Sequence, residues 1–222
     1  MKIFVGYDPK EDDAYRVCAF SLKKLNNKLD IIPIIKDNLR IYDRPVDPLS
    51  STEFTFTRFL VPYLCDYKGW ALFCDCDFVW LDDPNNLLSS ISDQYAAMVV
   101  KHNFIPKNKL KMDNKEQHQY PRKNWSSMVL WNCAHPSNKS LTPNLINTAT
   151  GQYLHQFQWL QDYEIGEIDK GWNWLVGYYT EPEDGRPKAL HYTEGGPWLN
   201  EYKNCSYSYV WNHFAQIAQI TK

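Results

Sequence analysis

Apolar residues in this chain fall into short runs, separated by polar segments in which apolar residues recur every three or four positions. Lys2–Gly6 (KIFVG) is such a run, and residues 14–25 carry apolar side chains at helical spacing. Asp8 is the predicted N-cap of that helix, with Pro9 at its first position and Glu11 at its third, a capping-box arrangement. We therefore expect the chain to begin with a strand followed by a helix.

Four more apolar runs predict strands: DIIPII (30–35), WALFCDC (70–76), YAAMVVKH (95–102) and SSMVLWN (126–132). Pro33 places the first of these at a sheet edge or a bulge, because proline has no N–H for a ladder hydrogen bond. Runs that are apolar nearly throughout are typical of a sheet covered on both faces. The pattern predicts an α/β three-layer fold with a mostly parallel central sheet.

Residues 55–67 (TFTRFLVPYLCDY) predict a helix with one buried face, since Phe56, Phe59 and Leu60 recur at helical spacing. A kink is expected near Pro62. Arg58 falls off the apolar stripe, which leaves two interpretations open: a surface charge on a buried stem, or a contact to a ligand.

Length, composition and net charge limit the classes of protein to which this chain can belong. The chain has 222 residues, 44% of them hydrophobic and 23% charged, which suits a single globular domain over 1–222. A formal net charge of −2 gives no field that attracts nucleic acid, so no nucleic-acid partner is expected. No apolar run approaches the ~18 residues of a membrane span, and the six cysteines include no C-x-x-C pair. These features predict a cytoplasmic protein with reduced thiols.

A D-x-D motif follows the third apolar run. If the strand extends through it, Asp75 and Asp77 point to one side and Cys76 to the other. Paired carboxylates are ligands that Mg²⁺ and Mn²⁺ prefer, and such ions complete their shell with phosphate oxygens and water. A bare D-x-D also occurs by chance at strand ends. Asp82 and Asp83, just before Pro84, read as a turn or helix start and receive no chemical role.

A second motif, ALHYTEGGPW (189–198), places His191 at the end of another short apolar run. A lone histidine is more often structural, but as a third ligand its imidazole would favour Mn²⁺ over Mg²⁺. Gly195 and Gly196 would let backbone N–H groups approach a phosphate closely.

Taken together, these segments resemble the nucleotide-sugar glycosyltransferases of the GT-A fold, most closely glycosyltransferase family 8 and its short bacterial and viral relatives, including a small glycosyltransferase domain of algal viruses. The resemblance rests on KIFVGYDPKEDDAYRVC, STEFTFTRFLVPYL, FCDCDFVWL, NWSSMVLWNC, IGEIDKGWNWLVG and HYTEGGPW. It implies a Rossmann-like GT-A domain that moves a hexose from a UDP-sugar, with UDP-glucose as the default, to a hydroxyl of a glycan or glycoprotein with retention.

The resemblance also implies roles for individual residues. Asp75, Asp77 and His191 would bind Mn²⁺, with Mg²⁺ possible, at the donor diphosphate. The remaining donor-binding residues it implies are Gly6, Tyr7 and Asp8 at the uracil and ribose, and Arg58, Cys76, Gly195, Gly196 and Trp198. A viral source would place the enzyme in the host cytoplasm.

The sequence departs from the family pattern at two places. The lysine expected after the histidine is absent, and Gly195 and Gly196 occupy its neighbourhood. GEIDKGWN replaces the family's acid and amide cluster, which leaves Glu167 and Asp169 as the candidates for catalytic contacts; both could equally be solvated loop carboxylates. The basic segment 101–124 is expected to lie over the site.

Two rival functions remain open at this level. A nucleotidyltransferase of similar fold would carry a glycine-rich phosphate loop after the first strand, where this chain is acidic. A carbohydrate-binding module without catalysis is suggested by the many aromatic residues, although side chains such as Trp172 and Trp174 are more often core than sugar platforms.

Overall fold

The central sheet has six strands. The computed structural model describes residues 1–45, 52–103, 110–111, 115–116 and 121–220. Within them the sheet order is β2-β1-β3-β8-β5-β9, where the strands are β1 (Lys2–Gly6), β2 (Asp30–Ile34), β3 (Trp70–Cys74), β5 (Ala97–Val99), β8 (Met128–Asn132) and β9 (Ile165–Glu167).

Five of these strands run in the same direction. β1 pairs in parallel with β2 and β3, and β5 pairs in parallel with β9, whereas β8 is antiparallel to both β3 and β5. The α/β prediction with a mostly parallel central sheet is confirmed. Pro33 lies in the edge strand β2, where its missing N–H breaks no ladder bond, as the sequence predicted.

Helices cover both faces of the sheet. Cys74 contacts Cys18 of α1 (Asp12–Leu25), while the ring of the preceding residue, Phe73, lies 5.2 Å from the Arg58 guanidinium. Adjacent residues of a strand point to opposite faces, so α1 and the helical segment that contains Arg58 lie on opposite sides. This segment is a 3-10 helix, Thr57–Leu60, continued by α2 (Val61–Leu64). Pro62 opens α2 instead of kinking a longer helix.

The start of α1 differs from the predicted capping box. Asp8 caps a 3-10 turn, Pro9–Glu11, by accepting a hydrogen bond from the backbone N–H of Lys10. The Glu11 side chain is buried and accepts a hydrogen bond from Cys76 Sγ at 3.4 Å. Asp8 therefore caps the 3-10 turn that leads into α1, whereas the N-cap of α1 itself is Glu11, whose side chain turns inward toward the D-x-D segment.

A second, three-stranded sheet has the order β10-β11-β4 and consists of β4 (Phe78–Trp80), β10 (Trp174–Leu175) and β11 (Ala189–His191). β4 and β11 are antiparallel, and Phe78 lies opposite His191. The sequence placed His191 at the end of a short apolar run, which is strand β11, and predicted no strand directly after the D-x-D. This small sheet brings two distant parts of the chain together.

The other helices are α3 (Pro143–Thr148), α4 (Gly151–His155) and α5 (Ser208–Ile217), and α5 packs on α1 through Phe20 and Phe214. Two short strands, β6 (Leu110–Lys111) and β7 (Lys115–Glu116), pair antiparallel. Most of the basic segment 101–124 lies outside the described residues, so its expected position over the site stays a prediction. No described helix has the length and apolarity that crossing a bilayer requires.

Candidate metal and donor site

Asp75, Asp77 and His191 meet at one point. Each offers a ligand atom, and the three atoms lie within 4.8 Å of one another. Asp75 directly follows β3 and Asp77 directly precedes β4, so the motif forms the turn between two strands and does not extend β3. The backbone N–H of Tyr192 donates to the carbonyl of Asp77 at 3.0 Å, which fixes the end of β11 against the motif.

The imidazole of His191 is held in one orientation. Its ring stacks on Phe78 with centroids 4.5 Å apart, and its Nδ1 lies 2.8 Å from Asn173 Oδ1. Asn173 Nδ2 donates to Ser127 Oγ at 2.9 Å, which leaves the amide oxygen to face the ring. His191 Nδ1 therefore faces the Asn173 acceptor, and Nε2 is the ring nitrogen that lies 3.3 Å from Asp77 Oδ2.

These residues fit a divalent cation. Asp77 Oδ1 is buried and has no hydrogen-bond partner among the described residues, an arrangement that is costly unless something else satisfies it. Two carboxylates and one imidazole nitrogen form a mixed O,O,N donor set that accepts Mn²⁺ more readily than Mg²⁺. Asp75, Asp77 and His191 are thus suited to hold such an ion.

Arg58 lies inside this site. The side chain is 6% exposed, and its Nη1 lies 2.8 Å from Asp75 Oδ1 as an ion pair, while donating to the Ser126 carbonyl at 2.9 Å. The guanidinium also lies near the rings of Phe54 and Phe73, at 5.3 and 5.2 Å. The surface-charge interpretation is wrong, because the segment is a 3-10 helix and its Arg58 side chain points inward to the half-buried carboxylate of Asp75.

The carboxylates at the site crowd one another. Burial, with the nearby charge of Asp77, raises the pKa of Asp75 to about 6, and Arg58 opposes that shift. Burial, again with the charge of Asp77, raises the pKa of Glu11 to about 8. Negative charge is therefore in excess at this point, and a divalent cation would relieve it. The sequence reading missed Glu11 because the capping-box pattern offered it another partner.

The residues predicted to contact the uracil and ribose already pack against or bond to other residues of the protein. A Cβ on Gly6 would lie 2.4 Å from the ring of Phe54, so close packing requires glycine there. Both oxygens of Asp8 accept backbone N–H groups, from Lys10 at 2.9 Å and from Glu53 at 3.1 Å. The hydroxyl of Tyr7 donates to Asp12 at 3.1 Å. Donor contacts by Gly6, Tyr7 and Asp8 stay predictions.

Aromatic packing also accounts for the two glycines after His191. A Cβ on Gly195, whose φ is +136°, would meet Tyr202 at 2.7 Å, and one on Gly196 would meet Trp198 at 1.9 Å. This packing does not test the predicted backbone contact to a phosphate. It also does not test the predicted donor contact of the buried Trp198, so both stay predictions. The thiol of Cys76 is fully buried and points to Glu11, away from the cation ligands.

The two predicted catalytic carboxylates are solvent-facing. Glu167 is exposed at the end of β9. The Asp169 side chain is 63% exposed, accepts the N–H of Gly171 at 3.1 Å and lies 3.3 Å from Lys188 Nζ. Their catalytic roles stay predictions. Asn173, four residues after Asp169, is the member of GEIDKGWN that contacts a cation ligand.

His102 is a second residue that sequence reasoning missed. It is 6% exposed, and its Nδ1 lies 2.6 Å from the hydroxyl of Tyr179. Burial, together with the charge of His191, lowers the pKa of His102 to about 3, so its ring is neutral at physiological pH. Its position at the end of the run YAAMVVKH was the only signal in the sequence, and a single histidine does not indicate which residue it contacts.

Asp83 begins a helix, as the sequence predicted, because it caps the 3-10 helix Pro84–Ser90.

One curated plant protein is similar to this chain over nearly its whole length. It is 52% identical over 217 residues to Protein CDI of Arabidopsis thaliana, covering 95% of this chain and 84% of that protein. No protein-family model matches the chain. This relative comes from a plant, and a bacterial or viral source for the chain stays a prediction.

Solved structures with a similar fold are glycosyltransferases. GlyE of Streptococcus pneumoniae TIGR4 aligns with a TM-score of 0.65 at 16% identity, covering 96% of this chain but only 59% of GlyE. The galactosyltransferase LgtC, solved with donor and acceptor sugar analogues, gives 0.57 at 12% identity over 100% and 96% of the two chains. A glycosyltransferase involved in glycosylation of the major capsid of PBCV-1 gives 0.53 at 14% over 99% and 98%. These likenesses show the GT-A fold.

Proposed function

This chain belongs to the same family as Protein CDI of Arabidopsis thaliana and has the GT-A fold, and on that basis we propose that it is a metal-dependent glycosyltransferase. It transfers a hexose from a UDP-sugar, with UDP-glucose as the default donor, to a hydroxyl of a glycan or glycoprotein. The observation that carries the proposal is the convergence of Asp75, Asp77 and His191, with Asp77 Oδ1 buried and unsatisfied among the described residues.

The metal is Mn²⁺, with Mg²⁺ as the alternative, and the three convergent residues hold it. Support comes from the donor set and from the Asn173 hydrogen bond that orients His191 Nε2 toward Asp77. A bound divalent cation would offset the negative charge that develops on the departing diphosphate.

The chain's own side chains prepare this site before a donor binds. Arg58 holds one Asp75 oxygen, so that carboxylate has a fixed direction, and Phe78 and Asn173 fix His191. These partners reduce the reorganisation that the reaction requires, because the polar groups are already aimed at one point. Arg58 contributes to donor binding from this position beside Asp75.

Retention of the anomeric configuration is proposed from the sequence resemblance alone. Glu167 and Asp169 are carried forward as candidates for contacts to the reacting sugar, and a loop movement would be needed to free Asp169 from Gly171 and Lys188. The cytoplasmic location is likewise carried forward from the sequence.

The experiment is a thermal-shift screen of UDP-, GDP- and dTDP-sugars with Mn²⁺ or with EDTA, followed by UDP release from the stabilising donor. A ligand at ~100 times its dissociation constant adds ~2.7 kcal/mol of stability. We expect stabilisation by a UDP-sugar with Mn²⁺ only. Stabilisation that persists in EDTA would contradict the metal role, and donor binding without any UDP release would favour a binding module.

A double-mutant cycle then tests the three ligands as a unit. Asp77→Ala and His191→Ala should each lower UDP release by roughly 100-fold or more, and the double variant should lose far less than the product of the two. Asp82→Ala is the matched control, because Asp82 lies outside the three-residue group and bonds to Asp83 and Asn86. A His191→Ala enzyme with unaltered Mn²⁺ dependence would remove His191 from the site.

A further inference from the structure

A second concave site lies at the end of the central sheet opposite to Asp75. It is a cavity of about 500 Å³, and its lining includes the first residues of three neighbouring strands: Lys2 of β1, Asp30 of β2 and Trp70 of β3. These strands are parallel, so their amino ends share one edge of the sheet, whereas Asp75 follows the carboxyl end of β3. The cavity is therefore separate from the candidate metal site, and its volume is that of a small-molecule site.

Three side chains at this cavity have donor groups that the protein leaves unused. Lys2 and Lys28 are exposed lysines, and neither ammonium group makes a hydrogen bond or an ion pair with the described residues. The half-buried amide of Asn85 likewise has no hydrogen-bond partner in the part of the chain that the structure describes. An ammonium group can only donate hydrogen bonds, so these side chains favour an occupant that accepts them.

The charges around the cavity favour an anion. Asp30 is the only carboxylate among the described residues that line it, against the cationic side chains of Lys2, Lys28 and Lys68. Lys68 also pairs with the exposed Asp66 outside the cavity, a contact that solvent weakens. Lys2 and Lys28 thus leave a local excess of positive charge in a chain whose net charge is −2.

One wall of the cavity is held in place by hydrogen bonds. Asn26, which follows α1, accepts the backbone N–H of Lys28 at 3.1 Å and donates from Nδ2 to Asp83 Oδ2 at 3.0 Å. The other oxygen of Asp83 accepts the backbone N–H of Asn85 at 2.9 Å. The carboxylate of Asp83 is therefore engaged by the wall, and the backbone at Lys28 and Asn85 is positioned before a ligand binds, which lowers the entropic cost of binding.

The cavity also has an apolar side. Trp70 is half-buried and packs against the main hydrophobic core, and Leu29 beside it is 4% exposed. The volume is many times the about 30 Å³ that one molecule of water occupies in the liquid, so a bare inorganic anion would fill only part of it. An occupant that uses both the cationic and the apolar side must carry an organic group beside its negative charge.

We propose that this cavity binds a small organic phosphate ester, with the phosphate group at Lys2 and Lys28 and the organic group against Trp70 and Leu29. The lysine ammonium is a compact charge that commonly binds phosphate in proteins. Asn85 donates to an oxygen of the same ligand. The organic group is a sugar or an aromatic ring, and the experiment distinguishes these two sources of the ester.

The test uses the full chain in EDTA with millimolar phenyl phosphate or glucose 6-phosphate, and with phenol, glucose and inorganic phosphate as matched controls. Hydrogen exchange followed by mass spectrometry locates binding, and calorimetry measures affinity. We expect at least one ester to slow exchange at residues 26–30 and 68–71 and to bind more tightly than its neutral parent and than inorganic phosphate. Binding should weaken at high salt, because the cavity charges are partly solvated. EDTA removes divalent ions, so the result does not depend on the proposed donor site.

Variants locate the two parts of the ligand. Lys2→Gln and Lys28→Gln should each weaken binding of the ester by roughly two- to fivefold, the range of a partly solvated ion pair, whereas Lys203→Gln, outside the cavity, should not. Trp70→Leu should weaken binding of the ester and leave inorganic phosphate unaffected.

Three outcomes would overturn the proposal. Neither ester might slow exchange at the cavity, or both lysine variants could bind the ester as tightly as the wild type. Inorganic phosphate that binds as tightly as the better ester would indicate an adventitious ion only. Both lysines are exposed, so their variants should keep the unfolding midpoint of the wild type, and a loss of binding then reports on the cavity.

Discussion

Replacing Glu11 with glutamine should stabilise the metal-free protein at neutral and alkaline pH. Glu11 is 6% exposed, accepts the Cys76 thiol at 3.4 Å, and has an Oε1 that is buried without a hydrogen-bond partner among the described residues. Burial, reinforced by the charge of Asp77, raises the pKa of Glu11 to about 8. At pH 7 the folded protein therefore keeps a proton on Glu11 that the unfolded chain releases.

The sign and size of the effect follow from linkage. The ordinary pKa is 4.5 and the folded pKa about 8, so between these values the unfolded chain binds fewer protons than the folded one. The free energy of unfolding then falls as pH rises, by up to ~1.4 kcal/mol per pH unit and by at most about 5 kcal/mol over the whole window. Asp75, with its pKa raised to about 6, contributes in the same direction. Glutamine does not ionise, so the part of this pH dependence that comes from Glu11 is absent in the Glu11→Gln variant.

Urea unfolding in EDTA at pH 5, 6, 7 and 8 measures the effect. We expect the two proteins to differ little at pH 5 and Glu11→Gln to be more stable by a few kcal/mol at pH 8, within the limit of about 5 kcal/mol. Glu183→Gln, at an exposed position, is the matched control and should follow the wild type at every pH. Curves for wild type and Glu11→Gln that stay parallel from pH 5 to pH 8 would refute the reasoning.

Three further substitutions probe the supporting contacts. Arg58→Met should destabilise the metal-free protein by about 1–3 kcal/mol in urea unfolding, because it leaves the half-buried Asp75 carboxylate without its partner, and an unchanged midpoint would contradict this. Asn173→Ala should weaken Mn²⁺ binding in calorimetry by roughly 10- to 100-fold, while Asn173→Asp, which keeps the acceptor, should restore it; equal affinities would make the hydrogen bond irrelevant. Gly196→Ala should lower stability by about 1–3 kcal/mol or more, because its Cβ would lie 1.9 Å from Trp198, whereas Gly151→Ala, with 3.3 Å to its nearest neighbour, should cost less.

Five of the six strands of the central sheet were predicted from their apolar runs, whereas β9 (Ile165–Glu167) was missed because it has only three residues and includes Gly166 and the exposed Glu167. The predicted runs include KIFVG, WALFC and MVLWN, each of which became a strand. β4 was not predicted, because it has only three residues and the two aspartates of the D-x-D motif precede it. A strand of that length has too few positions for periodicity to distinguish it from a turn.

The residues of the candidate site could be predicted where they belong to a compact sequence motif. They could not be predicted where their contact partners are distant in the sequence. The D-x-D and the histidine were identified as one group, and the structure brings their ligand atoms within 4.8 Å. Helical periodicity could not decide between the two interpretations of Arg58, because it records only apolar burial, whereas Arg58 is buried through its ion pair with Asp75. Asn173 had no local signal and Glu11 had a capping-box signal for a different partner, because the atoms that both contact are far away in the sequence.

The pairing of β4 with β11 also determines when the candidate cation site can form during synthesis. Asp75 and Asp77 leave the ribosome more than a hundred residues before His191, and β11 follows every other strand of the described chain in sequence. Contacts of such long sequence separation form slowly, because loop closure must be completed before they contribute. A nascent chain that still lacks residues 189–191 has Arg58 as a partner for Asp75 but cannot chelate an ion with all three ligands. Loading of the proposed metal would therefore be a late event of biogenesis, after the central sheet has been made.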